Sequence, residues 1–394
     1  MILTNKQEQA LKEVVRKFTN GDKYVVISGY AGSGKSTLIK YAVAALDSHG
    51  INADTDVCYS AFTGKACQVL LSKGNKNVST LHKLLYESIP KATGGFIRKR
   101  KKTIGYKIVV VDECSMAPKE LVDLLLSHNA FVIFCGDPGQ LPPIDKDSDN
   151  HLLDTPDVFL DEVMRQALDS DIIRLSMGIR EGRPLDYQKS KDVIIMPKKE
   201  LNTGVLQWAD QILVGTNKVR VSINNQMRVL LGREGGPQDG DKVICTRNYW
   251  DRIALNDDPL VNGTIGYIAN PFDSFVKYPR YLYENEKVDT IIAGFTSDIG
   301  ADFGNLEFDK KMILTGTESM DWKSKYKIGK NKKYGGTLPL EFLYGYAITV
   351  HKAQGSEWDK VLVMEEQFPF DKEEHKRWLY TACTRSSKRC VLIR

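Results

Sequence analysis

Three groups of residues have the types and spacing that handle phosphate. Gly29, Gly34, Lys35 and Ser36 satisfy the pattern G-x-x-x-x-G-K-[ST], with Gly32, Ser33 and Thr37 filling out the same loop. Glycines leave backbone N–H groups free to wrap phosphate oxygens, the Lys35 ammonium neutralises charge between the outer two phosphates, and the Ser36 hydroxyl completes the shell of a magnesium ion. Asp112 and Glu113 follow the apolar run Ile108-Val109-Val110-Val111. One carboxylate there can hold magnesium through water, and the other can orient and deprotonate an attacking water. Gln140 stands in the proline-stiffened loop Pro138-Gly139-Gln140-Leu141-Pro142-Pro143, well placed to sense a terminal phosphate. Each group also has a plain structural reading: glycine motifs occur in turns, and the two acids can simply begin the helix after Pro118. Their joint presence favours nucleotide chemistry.

Such side chains need a frame. Residues 24–28 are an apolar run that breaks into the glycine loop and resumes as a helical pattern from Leu38. This reads as strand, phosphate loop and helix, with the helix aiming its positive N-terminal end at the phosphates. The fully apolar Ile108 to Val111 run is that of a central parallel strand buried on both faces, so its acids sit at the carboxyl end, where open α/β sheets bind ligands. Residues 56–61 and 131–137 repeat the strand pattern, the first leading into Thr63-Gly64-Lys65 and a helix, and residues 79–85 open another helix. Thr4 and Gln7 have capping-box spacing ahead of Ala10, Leu11, Val14 and Val15. Gln7 can equally hydrogen-bond an adenine edge, and the two roles are compatible.

A helical stretch ends near Gly182-Arg183-Pro184, where a domain boundary is placed. A second α/β unit follows: a strand at 211–216, a helix with Val221 and Ile223, a strand at 361–364, a helix around 379–385 and a closing strand at 390–393. Two stretches break the rhythm. Residues 86–107 read as a small inserted hairpin turning at Gly94-Gly95, with Phe96 beside the run Arg98-Lys99-Arg100-Lys101-Lys102, a combination suited to a phosphate backbone. Residues 269–338 read as a β-rich insertion. Its end, residues 323–336, holds six lysines and no acid. That makes it a second candidate for backbone contact or, equally, a disordered loop.

At 394 residues and 42% hydrophobic, the chain can bury two cores. A net charge of +5 requires any polyanion binding to come from local charge. The seven cysteines are odd in number and lack a C-x-x-C pair, which argues against a disulfide framework or structural zinc and for a reducing cytosol. No window approaches the roughly 20 apolar residues of a membrane span, and the N-terminus lacks a signal-peptide core. A soluble chain of a bacterial or phage-infected cytoplasm, without membrane contact, is expected.

In their order, the phosphate loop and residues 136–143, 347–356 and 380–385 resemble superfamily 1 DNA helicases of the RecD-like branch, over nearly the whole chain from Gln7 onward. The resemblance implies an α/β fold of two RecA-like P-loop domains, residues 1–168 with the insertion 86–107 and residues 169–394 with a β-rich, SH3-like insertion at 269–338. It implies ATP and Mg2+ as cofactors, single-stranded DNA and single/double-strand junctions as partners, 5′→3′ movement, and service in DNA replication, repair or recombination beside single-stranded-DNA-binding or replisome proteins. Position by position, Gln7 matches the adenine contact, Lys35 and Ser36 the phosphate and magnesium pair, Asp112 and Glu113 the acidic motif, and Gln140 the phosphate sensor. Arg165 and Arg385 match the two arginines that reach the γ-phosphate, and Gly355 allows backbone approach there. Thr63, Lys65, His82, Thr349 and His351 fall where the family grips DNA, although a helix cap (Thr63) or hydrogen-bonded histidines would be the ordinary reading. Phe96, in the insertion of the first domain, is a candidate for the wedge that separates a duplex. Ser33 replaces the usual threonine. Because the chain begins almost at its first motif, a free-standing enzyme is expected. An inchworm follows from this set: ATP draws the arginines in, hydrolysis releases them, and alternating grips make a step. Two alternatives share the motifs in whole or part: a translocase that mainly displaces bound proteins, and a regulatory nucleotide switch. The switch would favour a guanine-specific N-K-x-D element, and Asn217-Lys218-Val219-Arg220 lacks its aspartate.

Overall fold

The strand Ile108–Val111 lies between Val57–Ala61 and Phe131–Gly136, parallel to both, with Val109 opposite Cys58 on one side and Val132 on the other. The computed structural model describes residues 3–90, 96–142, 150–164, 169–255, 259–367 and 371–394, without the side chains of residues 68, 72, 88–90, 96–98 and 250. From edge to edge the first sheet runs Val78–Thr80, Val57–Ala61, Ile108–Val111, Phe131–Gly136, Tyr24–Gly29, Val158–Leu160, and every pairing is parallel. Alternate residues feed opposite cores. Val25, Ile27, Ile108, Val110 and Ile133 pack under the helices Asn5–Thr19 and Lys35–Ala45, whereas Val26, Val109, Val111 and Phe134 pack with Leu81, Leu85, Leu121 and Leu125 on the other face. Each fully buried aliphatic contributes about 1.5–3 kcal/mol. This is why the run is apolar at every position and polar only once the strand has ended.

A second sheet places Gln211–Val214, Trp358–Met364, Ser386–Ile393 and Val193–Met196 side by side in parallel, with Gln188–Lys189 antiparallel at its edge. The helices Asp171–Arg180 and Lys372–Cys383 pack on each other and on this sheet. Both parallel sheets belong to one compact unit formed by Met1–Tyr86, Arg100–Gly215 and Val350–Arg394. All seven cysteines are free and buried. Among the described residues no helix is long and apolar enough to cross a membrane.

The other unit comprises Glu87–Lys99 and Thr216–Thr349. Its main sheet runs Asp302–Asp309, Lys287–Ser297, Ile265–Lys277, Lys242–Cys245, Phe342–Tyr344, antiparallel throughout. The β-rich region is therefore longer than residues 269–338. Lys242–Cys245 bonds to both Ile265–Lys277 and Phe342–Tyr344, and so ties the two ends of the insertion together. The helix Asn217–Leu230 is anchored by a fully buried Asp241, which takes hydrogen bonds from Arg228, Tyr346 and the Gln238 N–H. The expected hairpin is present as the paired strands Tyr86–Pro90 and Phe96–Arg100; its Gly94-Gly95 turn lies outside the described residues. Residues 323–330 are not a disordered loop but part of the helix Trp322–Lys330, capped by the Asp321 side chain.

Candidate active site

The phosphate loop joins Tyr24–Gly29 to the helix Lys35–Ala45, and Gly32 and Gly34 hold it in left-handed backbone at φ 78° and 80°. A Cβ on Gly34 would lie 2.5 Å from the terminal nitrogen of the Gln7 side chain, and the backbone angle itself requires glycine. Beneath the loop, Gln7 closes the capping box with Thr4 and donates from Nε2 to Ser33 O at 3.2 Å. The buried Ser33 hydroxyl donates to Tyr30 O, and Lys35 Nζ donates to the carbonyls of Gly29 (2.6 Å) and Tyr30 (2.9 Å), 4.0 Å from Asp137. Ser36 and Thr37 follow in the first helical turn, with Ser36 exposed to the cleft.

Asp112 and Glu113 leave the end of the central strand beside this loop. Burial, reinforced by the neighbouring Glu113 charge, raises the Asp112 carboxyl above its ordinary range. Glu113 adopts φ 50°, ψ 44°, a left-handed conformation that costs a non-glycine residue about 1–2 kcal/mol and tends to persist at functional sites. Its Oε1 lies 3.5 Å from Gln140 Nε2 and 3.7 Å from an Arg385 guanidinium nitrogen, while its Oε2 is buried with no hydrogen-bond partner among the described residues. Arg385 is 5% exposed and held by the carbonyls of Thr381 (3.1 Å) and Ser356 (3.3 Å). Lys35, Ser36, Asp112, Glu113, Gln140, Gly355 and Arg385 thus line one cleft of about 390 Å³.

Ser36 and Asp112 both face that cleft, and a hydroxyl with a carboxylate is a hard-oxygen pair that suits Mg2+ when phosphate and water supply the other ligands. A cation would also relieve the desolvated Asp112 charge. Among the described residues no group of three or more His, Cys, Asp or Glu could hold a metal by itself.

Reading the sequence missed the residues that join the two sheets. Tyr380, 1% exposed, accepts a hydrogen bond from Ala31 N of the phosphate loop (2.8 Å) and donates to Asp137 Oδ2 (2.7 Å). Burial and the Asp137 charge push its phenol well above the usual range, so the donor proton stays. Burial likewise raises the Asp137 carboxyl, against the pull of Lys35 and of hydrogen bonds from Tyr380 and Gly139 N. Leu141 is held on both sides of its backbone, its N–H by Thr381 Oγ1 (2.9 Å) and its C=O by Gln354 Nε2 (2.7 Å). The Arg180 guanidinium stacks 3.9 Å over the Tyr30 ring. The only sequence signal was that Asp137, Gln354, Tyr380 and Thr381 fall inside the three motif segments.

The residues expected to grip DNA are less concentrated. Thr63 caps the helix Gly64–Ser72, where Lys65 occupies the first turn, and Thr63 Oγ1 lies 2.9 Å from where a Cβ on Gly355 (φ 72°) would sit. His82 lies between the rings of Phe62 (5.7 Å) and Tyr86 (6.3 Å). His351 lies in the helix Val350–Ala353, its imidazole pulled below the ordinary value by burial. Thr349 ends the strand Ala347–Thr349, where the Asn224 carboxamide bonds both the N–H and the C=O of Ala347. Phe96 opens the strand Phe96–Arg100, but its side chain lies outside the described parts, and Arg165 lies outside the described residues altogether.

A glycine anion cradle, two acids at a strand end, and an arginine delivered from a second parallel sheet define a P-loop nucleotide-binding protein. Residues 2–195 match the AAA domain model and residues 344–393 the UvrD-like helicase C-terminal domain model. The ATP-dependent RecD2 DNA helicase of Deinococcus radiodurans is 27% identical over 399 residues, covering 94% of this chain and 46% of that protein. The ATP-dependent DNA helicase dda of Enterobacteria phage T4 is 27% identical over 203 residues, covering 48% of this chain and 45% of its own. In fold, the chain matches a Pif1 helicase from Bacteroides, crystallised with ADP-AlF3 and single-stranded DNA, at a TM-score of 0.51 and 16% identity, covering 100% of this chain and 92% of that one. The chain is similar to superfamily 1 helicases of the RecD/Pif1 branch. It spans less than half the length of RecD2 and of dda (46% and 45%).

Proposed function

We propose that this chain is a DNA-stimulated ATPase that moves 5′→3′ on single-stranded DNA and separates duplex strands, with residues 1–168 and 169–394 as its two lobes. The observation that carries the reading is the meeting of Lys35, Glu113 and Gln140 with Arg385 in one cleft, although Arg385 leads into a strand of the other sheet. In this role the loop N–H groups and Lys35 hold the phosphates, and the adenine lies toward Gln7. The unpartnered Glu113 Oε2 takes a proton from the attacking water while Gln140 fixes Oε1. Arg385, with Arg165 as its companion, stabilises charge on the transferring phosphoryl group. Mg2+, held by Ser36 and Asp112, would neutralise charge on the phosphates. Thr63, Lys65 and His82 form one DNA grip and Thr349 with His351 the other; Phe96 acts as the wedge at a junction.

Duplexes tailed on either the 5′ or the 3′ strand test this. ATP-dependent separation of the 5′-tailed substrate alone is expected. Separation of the 3′-tailed substrate alone would reverse the polarity, and ATP turnover indifferent to single-stranded DNA would reject the motor. Displacement of a bound protein without strand separation would favour the translocase.

A further inference from the structure

The helix Trp322–Lys330 carries its aromatic residues on the outside. Trp322 and Tyr326, one turn apart, are 68% and 49% exposed, and their rings stack at 5.2 Å with 20° between planes. One turn further, the Lys330 ammonium lies 4.4 Å over the Tyr326 ring. Only Ile328 is buried in this helix, and it packs with Tyr278, Leu282 and Met320. The core therefore accounts for the helix but not for its outer rings. Large exposed aromatics with an ordered geometry commonly mark a contact surface.

Charge selects the occupant. Residues 323–336 contain six lysines and no acid. The nearby acids Glu318 and Glu341 are both engaged by Lys325 and Arg247. Lys323, Lys327, Lys330, Lys332 and Lys333 make no ion pair with any described residue. A flat π surface bordered by unneutralised cations fits a chain that alternates planar rings with negative charges.

We propose that Trp322 and Tyr326 form a stacking platform for the bases of single-stranded nucleic acid, with Lys330 and its neighbours on the phosphates. This rests on the reading of the chain as a DNA-dependent motor and adds a contact outside the nucleotide cleft. Stacking of a base on one aromatic is worth on the order of 5- to 150-fold in affinity, with little regard for sequence.

The test compares binding of an oligothymidylate with that of an abasic strand of equal length, by fluorescence anisotropy. Wild type is compared with the double variants Trp322→Ala/Tyr326→Ala and Trp322→Phe/Tyr326→Phe. The platform predicts that the alanine variant loses roughly 10-fold or more on oligothymidylate and little on the abasic strand, that the phenylalanine variant keeps most of the affinity, and that DNA-free ATP turnover is unchanged throughout. Equal losses on both strands, or no loss on either, would overturn the platform. Failure of the wild type itself to bind single strands would instead reject the motor reading, so the two failures are distinguishable.

Discussion

The two parallel sheets are framed alike and equipped unequally. The strand Tyr24–Gly29 of the first sheet runs into a glycine loop and Lys35, its neighbour Phe131–Gly136 ends in Asp137, and the next strand over, Ile108–Val111, ends in Asp112. In the second sheet, Gln211–Val214 runs instead into Thr216, which caps the helix Asn217–Leu230 with its own hydroxyl, so no anion cradle is left open there. What the second sheet brings to the cleft is Arg385, together with the Tyr380, Thr381 and Gln354 bonds that fix the loop containing Asp137, Gln140 and Leu141. In the proposed function one sheet grips the phosphates and the other reports on them.

The sharpest break in that comparison is Lys35→Ala. It removes the one cation built into the cradle and should abolish ATP turnover in a steady-state assay; persistent hydrolysis would place the site elsewhere. Tyr380→Phe strikes the joint between the sheets. It leaves the Ala31 N–H and the buried Asp137 each short of a partner, at a cost of about 1–3 kcal/mol in a denaturant titration. The KM for ATP should rise with it, because Ala31 belongs to the phosphate loop; unchanged stability and KM would make the joint incidental.

The smallest effect is the pH response of His351. Burial lowers its pKa in the folded state, so between that value and the unfolded value of about 6.5 the unfolded chain binds more protons. Stability should therefore fall as pH drops below about 6.5 and level off once the folded histidine is protonated. His351→Gln should flatten that part of a plot of denaturation midpoint against pH.

The same inequality explains what could be read in advance. The phosphate loop and the acids after Ile108–Val111 were legible because strand, turn and helix signals there are local and the burial is two-sided. Gln140 was legible from its proline-stiffened loop, whereas Arg385 needed the family resemblance, since an arginine after a helix has no spacing of its own. Tyr380 could not be found, because its partners Ala31 and Asp137 lie 349 and 243 positions away and a buried tyrosine in a helix looks like core. The extent of the β-rich region was underestimated because Lys242–Cys245 and Phe342–Tyr344 become neighbours only through pairing. The helix Trp322–Lys330 buries Ile328 alone and so carries no apolar stripe by which its sequence announces a helix.

Arg385→Ala tests the central claim most directly when ATP-analogue affinity and single-turnover hydrolysis are measured on the same preparation. An arginine that acts on the transferring phosphoryl group predicts affinity within a few-fold of wild type and a loss of roughly 10³-fold or more in hydrolysis. Hydrolysis at the wild-type rate would mean that the second sheet does not take part in the chemistry.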